Sequence, residues 1–200
     1  MKTTKLWLAL ALSVILGVIL VGCASTSSIP RLTIQFPVKV SDHVVYLSKP
    51  NIIDRTTLLY GSDHEKVKSR DREFDEYFGD LKDKVATTVF ENFDAGLRKH
   101  PVYAKFVAPE ARHVFHLEIV GAGLVLKNTF SSYYKPNIAI RVHLKDDNGN
   151  ILLTEHERIT TFSDRTPEYT LEEYLTDRNK LFDAFIKATI AVVADVLKEI

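Results

Sequence analysis

Asn137-Ile138-Ala139-Ile140-Arg141-Val142-His143-Leu144-Lys145, followed by Asp146-Asp147-Asn148-Gly149-Asn150, is the stretch that decides the fold. Ile138, Ile140, Val142 and Leu144 recur at period two, with Arg141, His143 and Lys145 between them. That is the pattern of a strand buried on one face and wet on the other. The Asn-Gly pair is a strong hairpin signal, because a tight hairpin turn needs positive φ at its central residues. Residues 151–162 then read as the returning strand.

On the amino side, Phe115, Leu117 and Ile119 alternate with His116 and Glu118, which fall on the same wet face as Arg141 and His143. Gly121-Ala122-Gly123 is either a bend that twists a long strand or a place where a partner strand or a ligand approaches the backbone. Phe130, Tyr133 and Tyr134, before Lys135-Pro136, fall on the connection between two strands, as a contact surface or as a lid over the core. Further upstream Leu32, Ile34, Phe36, Val38 and Val40 alternate, and Pro37 among them implies an edge strand or a bulge. Residues 44–47 continue extended, 56–60 read as a short strand, and 61–70 as a polar loop.

The period then changes. Phe74, Phe78, Leu81, Val85, Val89, Phe93 and Leu97 form one apolar stripe at spacings of three and four, predicting a long amphipathic helix over 71–99. Asp71, Glu73, Asp75 and Glu76 in its first turns and Arg98 and Lys99 in its last suit the helix dipole, and His100-Pro101 ends it. Thr170 with Glu173 makes a capping box for a carboxy-terminal helix whose apolar face includes Leu181, Phe185, Ala188, Val192 and Val196. The expected fold is α+β: a two-layer sandwich, mostly antiparallel sheet with two long helices packed on one face. The other sheet face, bearing His116, Glu118, Arg141 and His143, is expected to be wet or bound to a partner.

The amino terminus carries an address. Lys2 and Lys5 precede the apolar run 6–21, and Leu20-Val21-Gly22-Cys23 closes it with the one cysteine in the chain. This reads as a secretory signal. The 16 residues of the run fall short of the roughly 20 that a membrane-spanning helix needs. The Leu-Val-Gly-Cys end resembles the lipobox of bacterial lipoproteins, and implies cleavage after residue 22 and acylation of Cys23 with a diacylglyceryl group and an N-acyl chain. Ala24, where an aspartate is absent, implies onward sorting to the periplasmic face of the outer membrane in the Gram-negative lipoproteins it resembles. Segments 1–22 (signal), 23–30 (lipidated cysteine and short polar tether) and 31–200 (a single periplasmic α+β domain) follow from this reading.

Without its signal the chain has 24 basic against 26 acidic residues, since Lys2 and Lys5 leave with it. Charges are mixed along every segment, so no basic stripe for nucleic acid is expected. Motifs for nucleophilic, phosphate-binding or zinc-protease chemistry are absent from the sequence, and neither an enzyme, a metal site nor a cofactor is expected.

From about residue 114 to the end, Asn137-Ile138-Ala139-Ile140, the Asn148-Gly149-Asn150 turn and Ala191-Val192-Val193-Ala194-Asp195 resemble the YajG-type periplasmic lipoproteins. The order of elements is similar to the amino-terminal domain of TolB. The resemblance implies a non-catalytic accessory of the cell envelope, held to the membrane by its lipid and working through an envelope protein partner. His116, Glu118, Phe130, Tyr133, Tyr134, Arg141 and His143 are the expected partner surface. A carrier of lipid or another amphiphile is the alternative, and a hydrolase of envelope polymers the second.

Overall fold

The computed structural model describes residues 34–61 and 63–200, and its compact domain begins at Ile34. The signal segment, Cys23, the tether and Leu32 lie outside the described residues. Strands β1 (Val38–Tyr46), β2 (Asn51–Ile53), β3 (His113–Leu126), β4 (Tyr133–Lys145), β5 (Ile151–Arg158) and β6 (Tyr169–Thr170) form a mixed six-stranded sheet with the spine β1-β3-β4-β5. The strands β3, β4 and β5 run antiparallel, as the hairpin pattern anticipates. At the edge, β1 and then β2 pair with successive parts of β3 in parallel. Parallel pairing needs a long crossover. Here it is made by α1 (Arg55–Tyr60), α2 (Glu65–Leu97) and a short 3-10 turn (Ala104–Phe106).

The helix layer consists of α2 with α3 (Leu171–Thr176) and α4 (Arg178–Glu199). Helix α2 packs over β1 and β2, α4 over β4 and β5, and the two helices pack on each other. Every residue of the predicted stripe on α2 is buried. Phe74 and Phe78 meet Phe185 of α4 at ring-centroid distances of 6.1 and 5.0 Å, and Phe93 and Tyr103 both close edge-on over Phe115 of β3. Burying one such side chain fully is worth about 1.5–3 kcal/mol. With no second cysteine available for a disulfide, this packing carries the fold.

The structure corrects several local expectations. Residues 56–60 lie in helix α1, because the Asp54 side chain accepts from the Thr57 amide at 2.8 Å and from the Thr57 hydroxyl, and this cap outweighs the β-preference of the threonines. Helix α2 starts at Glu65, six residues before the predicted 71, so of the acidic residues only Glu65 sits in its first turn. Pro37 precedes β1, and the strand irregularity falls between Val40 and Val44. The capping box of Thr170 and Glu173 is present, but it starts the short α3; Asp177 then accepts from the amides of Asn179 and Lys180 and starts α4. The returning strand ends at Arg158.

At the glycines the structure shows the bend. A bulge separates Ile119 from Gly121 in the pairing with β4. At Gly123 the Asn51 carbonyl oxygen of β2 would lie 2.1 Å from an added Cβ, so the backbone approach comes from a strand of the same chain.

Candidate interaction surfaces

Cross-strand partners share a face of a sheet, and the register therefore builds the outer face directly. His116 of β3 faces His143 of β4, and Glu118 faces Arg141. The Arg141 guanidinium reaches Glu118 Oε2 at 3.4 Å, and His143 Nε2 stands 3.7 Å from the same oxygen. On the far side His143 Nδ1 lies 2.8 Å from the Thr154 hydroxyl of β5. The arrangement fits a neutral ring with its proton on Nε2 toward Glu118 and Nδ1 accepting from Thr154. Partial burial is the main cause that holds both histidines below their ordinary pKa; Lys145 adds to it, while Glu118 opposes it. At neutral pH the cluster is thus two neutral imidazoles beside one ion pair. Glu155 and Glu157 pair with the inward-facing Val142 and Ile140, so they project from the opposite face of β5. No group of three or more metal-ligating side chains converges among the described residues.

Val114 extends this face toward the amino-terminal end of β3, flanked by Lys39 of β1 and Lys145 of β4. His156 and Arg158 of β5 complete it beside Arg141 and Ala139.

The aromatic residues divide. Phe130 is 94% exposed in the 127–132 connection, whereas Tyr133 and Tyr134 are the first residues of β4. Tyr133 is half exposed, and Tyr134 is buried beside Arg70, with its backbone carbonyl accepting from Tyr174. Tyr134 is therefore a core residue and leaves the expected partner surface. Pro136 is tolerated in β4 because it falls between the segments paired with β6 and with β5, where that side of the strand has no ladder.

Helix α1 supplies a second surface. Helix α1 exposes Leu58, Leu59 and Tyr60 at 60, 68 and 67%. Arg55 donates to the Ser131 carbonyl at 3.4 Å, which sets α1 against the connection carrying Phe130. Leu59 stands one helical turn from Arg55 and so lies on its side of α1. Leu58, three residues after Arg55, shares that side, so Leu58, Leu59, Phe130 and Tyr133 mark an apolar end of the molecule, while Tyr60 turns away and stacks on His64 at 5.1 Å. It is built on a firm base. Asp54, 1% exposed, caps α1 and pairs with Arg70 of α2, and Asp71 accepts from the Ile52 amide of β2 at 2.9 Å. The signal in the sequence was the unbroken run Leu58-Leu59-Tyr60 four residues after an aspartate cap. As a strand it would alternate.

One open depression of about 1050 Å³ lies beside the first turns of α2, and its walls carry both charges; Lys49 pairs with Asp75 there. No family model matches the chain, and no curated protein matches it. None of the helices among the described residues is long and apolar enough to cross a membrane.

Proposed function

We propose that this chain is a lipoprotein of the outer membrane, anchored at its periplasmic face through an acylated Cys23, and that it serves as a non-catalytic accessory that docks another envelope protein. The observation that carries the docking reading is the apolar end, where four large hydrophobic side chains, Leu58, Leu59, Phe130 and Tyr133, stand 46 to 94% exposed on a well-fixed base. Exposed apolar clusters of this kind mark contact sites. The layer between helices and sheet, where a carrier would hold an amphiphile, is filled by Phe74, Phe78, Phe93, Phe115 and Phe185, each at most 1% exposed. The histidine and glutamate cluster sits on an open strand face, a setting that suits contact better than water-excluding chemistry.

Two experiments test it. Cys23→Ser should abolish acylation and release the chain from the membrane fraction; unchanged fractionation would overturn the anchor. A photo-crosslinking residue at Leu59 and another at Phe130 should capture the same protein in intact cells, while one at Lys187 on the helix layer should not. Capture of unrelated neighbours from all three positions would overturn the docking reading.

A further inference from the structure

The charge balance of the helices differs in sign from that of the outer sheet face. Helices α2, α3 and α4 carry 10 basic and 14 acidic residues, a balance of −4. The outer sheet face carries Lys39, Arg141, Lys145 and Arg158 against Glu118, a balance of +3. Among the described residues Glu118 is the partner of Arg141, and no carboxylate forms an ion pair with Lys39, Lys145 or Arg158. The face is also extended, since its cations run from Lys39 and Lys145 beside Val114 to Arg158 opposite Ala139.

We propose that this sheet face lies on anionic phospholipid headgroups of the membrane that holds the anchor, leaving the helix layer turned away and the apolar end free at the side. The inference rests on the acylated-cysteine reading of the amino terminus. Charge complementarity selects the face: helices with a balance of −4 are repelled by an anionic surface, and an outer sheet face with a balance of +3 is attracted to it. The chain between Cys23 and Ile34 reaches at most about 36–40 Å. That is less than the roughly 46 Å length of a 14-residue strand such as β3, so an acylated Cys23 holds the start of the domain no farther from the bilayer than one such strand. Lys39 lies five residues after Ile34, at the tethered end of this face. Once the lipid holds the chain, a few unpaired cations at this surface suffice to bias orientation, although they would bind it only weakly on their own.

The test reads lysine reactivity in the full acylated chain, produced in cells and reconstituted into vesicles of phosphatidylethanolamine with one quarter phosphatidylglycerol, or of phosphatidylcholine alone. Flotation with the vesicles and the mass of the amino-terminal peptide report the anchor, and their failure would sink that reading by itself. With the anchor in place, acetylation of Lys39 and Lys145 should slow about fivefold in the anionic vesicles relative to the neutral ones. Lys66 and Lys187 on the helix layer should not change. The protection should vanish in about 1 M salt, where the screening length is about 3 Å. In the double variant Lys39→Gln, Arg158→Gln, both at surface positions, Lys145 should lose its protection. Equal reactivity of Lys39 and Lys145 in the two vesicle types would overturn the proposal. So would protection that falls on the helix layer, or that needs an added envelope protein.

Discussion

Replacing Gly123 by alanine would place a Cβ 2.1 Å from the Asn51 carbonyl oxygen and 2.6 Å from its Oδ1. Real Cβ atoms essentially never come closer than 3.0 Å, so the two strands must part by at least 0.9 Å, the difference between these distances. The obstacle is backbone and cannot rotate away. Strand β2 has three residues, and its retreat would expose Ile52, now 2% accessible, and break the 2.9 Å bond from the Ile52 amide to Asp71. Losing that burial costs about 1.5–3 kcal/mol and the hydrogen bond about 1 kcal/mol, so partial retreat should destabilise the protein by about 2–4 kcal/mol. At a urea dependence of about 2 kcal/mol per molar, the unfolding midpoint should fall by about 1–2 M. Gly121→Ala is the internal control: its Cβ would meet Ala139 Cβ at an ordinary 3.8 Å and should stay within about 0.5 kcal/mol of the parent. Equal midpoints for the two variants in circular-dichroism titrations would refute the close approach of β2.

Asp54→Ala removes the cap of α1 and leaves Arg70 without its buried partner, which should cost about 2–4 kcal/mol and speed tryptic cleavage after Arg55; an unchanged cleavage rate would count against this base for the apolar end. Phe130→Ser should leave the melting temperature unchanged, because the ring is 94% exposed, while abolishing crosslinks from Leu59; a lowered melting temperature would show that the ring packs on the domain. His116 and His143, facing Glu118, Arg141, Lys145 and Thr154, have folded-state pKa values below the ordinary 6.5, so the unfolded chain takes up protons first as the pH falls. Their contribution is fully present above about 6.5 and is lost as the pH drops from there toward the lowered folded values. The melting temperature should therefore decline from pH 7.5 to 5.5, and less steeply in the double variant His116→Gln, His143→Gln; identical slopes would remove the histidines from the account.

The parts of the fold that were legible in the sequence are those whose partner is near in the chain or whose period is long. The stripe from Phe74 to Leu97 needs only helical geometry to be read, and the β4–β5 hairpin announces itself through Asn148-Gly149. The pairing of β1 with β3 leaves no such trace, because the alternation of Val38 and Val40 says that one face is buried and nothing about the direction of the neighbour. Helix α1 was hidden because its identity comes from one aspartate and an arginine 16 residues away. The sheet-face cluster of His116, Glu118, Arg141 and His143 was legible, since strand parity alone puts them together. The apolar end was only half legible: Phe130 stood out, but its neighbours arrive from α1 through tertiary contacts.

The parallel edge also shapes the order in which the molecule can assemble. Val38 finds His113, a residue 75 positions later, so β1 has no strand partner until the crossover and the start of β3 have been synthesised. If the chain is exported amino end first, as the proposed anchor requires, β1 would emerge as a lone strand ahead of its partner, and closing the sheet means drawing distant sequence back to it. Pairings of such high sequence separation fold slowly. The waiting strand is the point at which aggregation, or protection by a chaperone, would act first.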